Sequence, residues 1–136
     1  MIVDTSALMA ISLKEPGYTI ILDALLVGDR FLPAPVLLEY RRVLLGKGPN
    51  VQRDGEALLN ELLSSGVAVE GFLPADGDAA SKANVLHGKG NGRGGTLNFG
   101  DLMVFAIAQR LAMPILCTGR DFRKAGANLH PASRDW

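Results

Sequence analysis

Four acidic residues stand where carboxylates can do chemistry: Asp4, Glu39, Asp101 and Asp121. Asp4 follows the apolar run at residues 1–3, and Asp121 comes shortly after another apolar run at 115–117. Ligands of open parallel sheets bind outside the carboxyl ends of the strands, so acids at two such ends favour one shared site. Taken singly, an aspartate at such a place is more often a turn residue or a helix N-cap.

Glu39 lies on the apolar stripe of a helix, between Val36 and Val43. A carboxylate that is partly buried there needs a positive partner, or it takes up a proton. Arg42, one turn further along, could supply that partner, which would make Glu39 a structural residue. A metal ion is the alternative partner, and the pattern alone leaves both interpretations open.

Asp101 lies in the first turn of a helix that is apolar almost all round. Asn98 could cap this helix with Asp101 near its positive end, an arrangement that contributes about 1 kcal/mol. Gly100 beside it is a poor helix former, about 1 kcal/mol worse than alanine, and is explained if backbone or a ligand approaches closely. A structural cap and a functional acid are equally supported at this residue.

Carboxylates that gather at one place repel each other, so such a cluster persists only if cations neutralise it. Oxygen ligands alone select hard ions such as Mg²⁺ or Mn²⁺ over zinc. His87 and His130 have no histidine or cysteine at ligand spacing, which argues against a zinc site. One or two hard ions would activate a water and stabilise a phosphodiester for in-line displacement.

Short apolar runs alternate with amphipathic segments along the chain, which predicts an α/β domain with a mainly parallel sheet covered on both faces. The whole chain, residues 1–136, is expected to form a single domain. The predicted strands are residues 1–3, 30–32, 67–72 and 114–117, with one more short strand within 127–136. The predicted helices are 5–13, 18–28, 35–44, a segment that opens at Asn50 or Asp54, the polar exposed 76–87, and 98–112.

Composition excludes several classes of protein. Apolar residues make up 48% of the chain and charged residues 21%, so intrinsic disorder is excluded. The lone Cys117 excludes a disulfide scaffold and fits a reducing cytoplasm. Short apolar runs and an acid at position 4 argue against a membrane span and a signal peptide. The 14 basic and 14 acidic side chains balance, which argues against a protein that coats nucleic acid by bulk charge but leaves a local site open.

The glycine-rich segment at 88–95 contains a match to G-x-G-x-x-G at 90–95, but it follows a helical segment and not a strand, so it lacks the context of a dinucleotide site. The chain has no Walker-type phosphate loop and no nucleophile elbow. The segment is therefore expected to be a flexible loop. Lys89 and Arg93 on it could contact phosphates, although a solvated loop explains each charge equally well.

Three stretches of the chain carry a family resemblance that spans nearly its whole length. They are the opening residues 1–7, the run from Gly88 to Asp101, and the segment Thr118-Gly119-Arg120-Asp121-Phe122. Together they resemble PIN-domain ribonucleases of the VapC toxin type. The first and third stretches are specific only in combination.

The resemblance implies a three-layer α/β/α sandwich around a parallel sheet. It implies that Asp4, Asp101 and Asp121 hold Mg²⁺ or Mn²⁺, with Glu39 completing the acidic site directly or through water. Hydroxyl groups in this family often line the site, which suggests roles for Ser6 and Thr118. Arg120 departs from the Asn or Asp that many relatives carry there, so the fourth acid rests on Asp121 alone.

The function implied is a metal-dependent endoribonuclease of the cytoplasm that leaves a 5′-phosphate and a 3′-hydroxyl. Its partners would be an RNA substrate, a VapB-type antitoxin and a second copy of the chain in a homodimer. The apolar face of Tyr18–Leu26, with Leu37 and Leu44, is a candidate antitoxin groove, although ordinary core explains most of these residues better. The alternatives are a PIN-fold nuclease of RNA processing without an antitoxin, and a catalytically silent binding module.

Overall fold

The fold was analysed in a computed structural model, which describes residues 1–135. Its strands are β1 (Ile2–Val3), β2 (Phe31–Pro33), β3 (Ala68–Glu70) and β4 (Ile115–Leu116). Its helices are α1 (Thr5–Ser12), α2 (Tyr18–Leu25), α3 (Ala34–Leu45), α4 (Pro49–Ser64), α5 (Pro74–His87), α6 (Phe99–Leu111) and α7 (Asp121–Lys124).

The four strands form one parallel sheet in the order β3-β2-β1-β4. Ile2 is aligned with Phe31 on one side and with Ile115 on the other, and Phe31 is aligned in turn with Ala68. The strand order therefore reverses between β1 and β4, because β2 and β3 lie to one side of β1 and β4 to the other. In open α/β sheets such a switch point is where ligands bind.

The connections of the sheet decide where the helices lie. Crossovers between parallel strands are right-handed, so the direction of each connection along the sheet fixes the face on which its helices lie. The connections through α1–α2 and through α3–α4 lead in the same direction, and these four helices therefore lie on one face. The return to β4 through α5 and α6 runs in the opposite direction and places that pair on the other face. This arrangement confirms the α/β prediction with a parallel central sheet.

The core lies between the sheet and its helices. Parallel strands that are covered on both faces read as continuous apolar runs, which explains why β1 and β4 are apolar throughout. Strand β3, at the edge of the sheet, is less buried, and its Val69 is exposed. The strand side chains that are almost fully buried are Ile2, Val3, Leu32, Ile115 and Leu116.

Several predicted boundaries differ from the observed ones. Helix α4 begins at Pro49, because proline fits the first turn of a helix, whose N–H groups have no partners within it. The predicted strand within 127–136 is reduced, among the described residues, to isolated bridges at Leu129 and Arg134, and Trp136 lies outside them. Helix α5 is mostly exposed, as predicted, but its Asp76 is buried.

None of the helices within residues 1–135 has the length and apolar character needed to cross a bilayer.

Candidate functional site

Asp4 begins the site at the carboxyl end of β1, where it caps helix α1. Its carboxylate accepts hydrogen bonds from the Ser6 amide (2.9 Å) and the Ser6 hydroxyl (2.5 Å). The Ser6 hydroxyl oxygen also accepts a hydrogen bond from the Thr118 amide at 3.0 Å, which joins the ends of β1 and β4. Burial raises the pKa of Asp4 to about 6, with a smaller contribution from the charge of Glu39.

Glu39 reaches the same region from the middle of α3. Its Oε2 accepts a hydrogen bond from the buried Thr5 hydroxyl at 2.6 Å. On the other side its carboxylate packs against Gly100, where a Cβ atom would lie only 2.8 Å from Oε1. The expected close approach at Gly100 is therefore to the Glu39 side chain. Among residues 1–135 no ion pair joins Glu39 to Arg42, although both residues line one cavity, so Arg42 does not act as the structural partner that the sequence suggested.

Asp101 fits both roles that the sequence left open, a helix cap and a candidate functional acid. It forms a capping box with Asn98, whose amide donates to Asp101 Oδ2 at 2.8 Å and whose Oδ1 accepts from the Asp101 amide at 2.9 Å. Burial is the largest cause that raises the pKa of Asp101 to about 7, and the charges of Asp4, Glu39 and Asp121 act in the same direction, against the hydrogen bond from the Asn98 amide. Asp101 is thus a structural cap that shares its electrostatic environment with the other three acids.

Asp121 is the first residue of α7, shortly after β4, and its side chain is exposed. Its backbone carbonyl accepts a hydrogen bond from the Thr96 hydroxyl at 3.0 Å, which ties α7 to the segment before α6. Two neighbouring residues are held by Asp135, because Arg120 donates to its backbone carbonyl and Arg123 pairs with its carboxylate. The exposed position gives the site one acid that faces solvent.

The donor chemistry of these residues fits a hard cation. All four candidates offer carboxylate oxygens, and the nearby Cys117 offers no thiolate, because burial raises its pKa to about 12. Within residues 1–135 no three His, Cys, Asp or Glu side chains form a ready-made metal-binding group. The fit therefore rests on oxygen donors and on mutual repulsion, which a cation would relieve.

The four residues predicted to contact substrate fall into two groups. Ser6 and Thr118 lie at the ends of the central strands, where Ser6 holds Asp4 and is itself held by the Thr118 amide. Lys89 and Arg93 lie on the glycine-rich segment, which folds back on itself, since Asn91 Oδ1 accepts from the amides of Arg93 and Gly95. Lys89 lines a cavity that is also lined by Asn98, the capping partner of Asp101.

The candidate antitoxin groove on α2 is not supported for most of the residues named. Ile21, Leu25 and Leu44 are almost completely buried in the core and face no partner. Apolar periodicity identifies the buried face of a helix, and here that face packs inside the domain. The exposed apolar side chains of this region are Ile20 and Leu26.

Sequence reasoning missed two features. The first is Thr5, which lies next to Asp4 but bonds Glu39, 34 residues away. The second is a buried ion-pair cluster in which Arg110 bonds Asp76 (2.8 Å) and Glu70 (3.0 Å) and joins α6 to α5 and β3. A weak signal for Asp76 existed, because an acid in the first turn of a helix often caps it. Nothing in the sequence pointed to Arg110.

The close packing at Gly100 leads to a first prediction. Gly100→Ala puts a methyl group where the Glu39 carboxylate lies, so we expect the side chain of Glu39 to move while the fold survives, because a carboxylate at the end of a flexible side chain can yield. The RNA cleavage that the resemblance implies should fall by roughly 10- to 100-fold, as expected when a reacting group is misplaced by about 1 Å. The thermal unfolding midpoint should change little.

Gly48→Ala is the control for this substitution. Gly48 is exposed, an added Cβ would meet nothing within 4 Å, and its backbone (φ −65°, ψ 159°) is one that alanine also adopts. It should keep full activity with little change in stability. Full activity in Gly100→Ala would show that Glu39 does not need its observed position.

The model of the PIN domain family matches residues 1–128. The chain therefore belongs to the PIN-domain family, whose match covers the sheet and all four candidate acids.

Its relatives within that family are VapC ribonucleases. It is 36% identical over 125 residues to Ribonuclease VapC36 of Mycobacterium tuberculosis, a match that covers 90% of this chain and 87% of the relative. It is 35% identical over 128 residues to Ribonuclease VapC28 of the same species, covering 93% and 94% of the two chains. The resemblance inferred from the sequence is confirmed.

Solved structures of low sequence identity share the fold. The structure of VapBC2 from Rickettsia felis, bound to a promoter DNA fragment, matches with a TM-score of 0.71 at 15% identity, covering 99% of this chain and 97% of that one. Mycobacterium tuberculosis VapC20, a Sarcin-Ricin loop cleaving toxin, matches with a TM-score of 0.70 at 22% identity, covering 93% and 95%. Both support the α/β fold with its parallel sheet.

Proposed function

We propose that this chain, as a single domain over residues 1–136, is a divalent-metal-dependent endoribonuclease that acts as the toxin of a VapBC-type pair. The observation that carries the proposal is the position of the Glu39 carboxylate. It accepts a hydrogen bond from Thr5, the neighbour of Asp4, and packs against Gly100, the neighbour of Asp101. Carboxylates that gather in this way repel each other, and a bound cation would relieve that repulsion. Membership of a family of ribonucleases supplies the reaction.

The chain's own residues hold the acids in place. Ser6 and the N-terminus of α1 fix Asp4, Thr5 fixes Glu39, and Asn98 fixes Asp101. When bound at Asp4, Glu39, Asp101 and Asp121, Mg²⁺ or Mn²⁺ would stabilise charge on the phosphodiester and lower the pKa of the attacking water. Lys89 and Arg93 would contact backbone phosphates. The products would be a 5′-phosphate and a 3′-hydroxyl.

The direct test is cleavage of cellular RNA by the purified, antitoxin-free chain. Sites are mapped by sequencing the 5′-phosphate ends with Mg²⁺, with Mn²⁺ and with a chelator. We expect cleavage with either ion and none with the chelator. A folded chain that cuts no RNA under these conditions would contradict the enzyme proposal and favour a silent binding module, and cleavage in chelator would contradict the metal requirement.

We further propose two protein partners, a VapB-type antitoxin and a second copy of the chain. The solved VapBC2 assembly of Rickettsia felis supports the first, and the resemblance to VapC toxins the second. Expression in the cytoplasm should halt growth and be rescued by a small protein encoded beside this chain's own gene. Light scattering should give twice the mass of the chain. Lack of any rescuing neighbour would favour a nuclease of RNA processing.

A further inference from the structure

Phe99 is the most exposed of the large apolar side chains described in the structure, with 80% of its surface accessible. It is the first residue of α6, two positions before Asp101. An aromatic ring left in water next to a polar site is unfavourable, because burying such a ring stabilises a protein by about 2 kcal/mol. We therefore expect a binding partner to cover the ring.

Two cavities meet at this ring. The first, about 440 Å³, lies between α5 and α6 and is lined by Phe72, Asn84, Lys89 and Asn98 as well as Phe99. We name it the α5–α6 cavity. The second, about 600 Å³, lies between α3 and α6 and is lined by Phe99 together with Leu38, Glu39 and Arg42. We name it the α3–α6 cavity.

We propose that Phe99 is a stacking platform for a nucleobase of the RNA substrate, next to the phosphate that is cut. The base would lie on the ring in the α5–α6 cavity. This inference rests on the proposed ribonuclease function and adds a subsite for an unpaired nucleotide to it. Proteins that bind single-stranded RNA use exposed aromatic rings in this way, since every base has a π-face.

The two cavities at Phe99 are lined in part by residues that belong to the acidic site or bond to it. Asn98 lines the α5–α6 cavity and also exchanges two hydrogen bonds with Asp101, while Glu39 lines the α3–α6 cavity. A nucleotide stacked on Phe99 would therefore have its phosphate beside the carboxylates on one side or the other. The distance along the chain between the ring and the acid is only two residues.

Charge and polar groups in the cavities also match a nucleotide. Each cavity carries one cation, Lys89 in the first and Arg42 in the second, so a phosphate on either side of the base has a positive partner. Asn84 and Asn98 add amide groups, which can recognise the edge of a base. The capping bonds of Asn98 use its Oδ1 and its backbone amide, not its Nδ2.

The test compares three substitutions at Phe99 with a ten-nucleotide RNA that spans the mapped cleavage site. Phe99→Ala and Phe99→Leu should lower kcat/KM by about 10- to 100-fold, mainly through a higher KM, because stacking holds substrate and transition state alike. Phe99→Trp should keep wild-type activity. Leu45→Ala is the control, since Leu45 is 75% exposed and does not line either cavity. It should cut normally.

An abasic scan shows which nucleotide is stacked. The base is removed at each position of the RNA in turn, and wild type and Phe99→Ala are compared as in a double-mutant cycle. At one position the missing base should slow the wild type about 10-fold or more and have little effect on Phe99→Ala.

Three results would overturn the subsite. The first is an equal loss of cleavage rate at every abasic position, and the second is full activity in Phe99→Ala. The third is full activity in Phe99→Leu together with a halved solution mass of Phe99→Ala, which would show that a second copy of the protein covers the ring. A wild type that cuts no RNA is a different failure, because it contradicts the proposed function itself.

Discussion

Asp4→Asn should abolish RNA cleavage, with a loss of at least about 100-fold, and at the same time make the metal-free protein more stable. The loss follows because the carboxylate that would hold the cation is gone. The gain follows because ionising a carboxyl whose pKa is about 6 in the fold, against about 3.9 when free, costs roughly 3 kcal/mol at pH 8. Asparagine caps a helix as well as aspartate does, so α1 should persist.

The pH dependence of stability gives an independent check. A carboxyl whose pKa is raised in the folded state stabilises the fold while protonated, and that contribution is lost as pH rises through the folded value. Burial raises the pKa of Asp4 to about 6 and that of Asp101 to about 7. In a chelator, the wild type should therefore lose stability between about pH 4 and pH 8, and Asp4→Asn should lose less.

Adding Mg²⁺ at pH 8 should restore this stability in the wild type, because ion binding needs the ionised acids. Thermal unfolding with and without Mg²⁺ measures the effect, and Asp4→Asn should show little or none of it. Asp23→Asn is the control, since Asp23 is an exposed acid on α2, and it should match the wild type in cleavage and in its response to Mg²⁺. Equal cleavage by Asp4→Asn would remove Asp4 from the site, and an unchanged Mg²⁺ response would place the ion elsewhere.

The parts of the site that could be predicted are those encoded locally. Asp4 and Asp121 follow short apolar runs, so the strand ends were visible, and a parallel sheet brings such ends to one edge. Gly100 gave a second local signal, because a glycine in the first turn of an apolar helix needs a reason, and the Glu39 carboxylate is that reason. The strand ends and the two apolar helices suggested one cluster of acids, and the resemblance supplied the ribonuclease chemistry.

The parts that could not be predicted depend on contacts between distant segments. Thr5 and Glu39 are 34 residues apart, and so are Asp76 and Arg110. Periodicity shows which face of a helix is apolar but not what covers it, which is why Leu25 was considered for a partner surface although it lies in the core. The exposure of Phe99 was not visible for the same reason, because a helix that is apolar almost all round does not show which of its side chains stays uncovered.

Arg110→Met should destabilise the protein by about 3 kcal/mol, although Arg110 lies outside the site. It removes the partner of Asp76, whose side chain is only 1% exposed, and breaking a buried pair in this way leaves an uncompensated charge. Methionine keeps much of the aliphatic stem, so lost packing contributes little. In chemical denaturation the midpoint should fall with an unchanged slope, and the thermal midpoint should fall by roughly 10 °C.

Arg41→Met is the matched control. Arg41 also pairs with an acid, Glu56, at 3.1 Å, but both side chains are about half exposed, so the loss should stay below about 1 kcal/mol. Similar losses in the two variants would show that burial does not decide the worth of these pairs.

At acidic pH the difference in the free energy of unfolding between the wild type and Arg110→Met should become smaller. Burial by itself would raise the pKa of Asp76, but hydrogen bonds from Arg110 and the Leu73 amide outweigh it and hold the pKa below its usual range. A depressed pKa contributes stability above the unfolded value near 4, and this is lost as pH falls. The difference in stability between the two proteins should therefore be large at pH 7 and shrink as pH falls below about 4, and a constant difference would show that the lost stability came from packing.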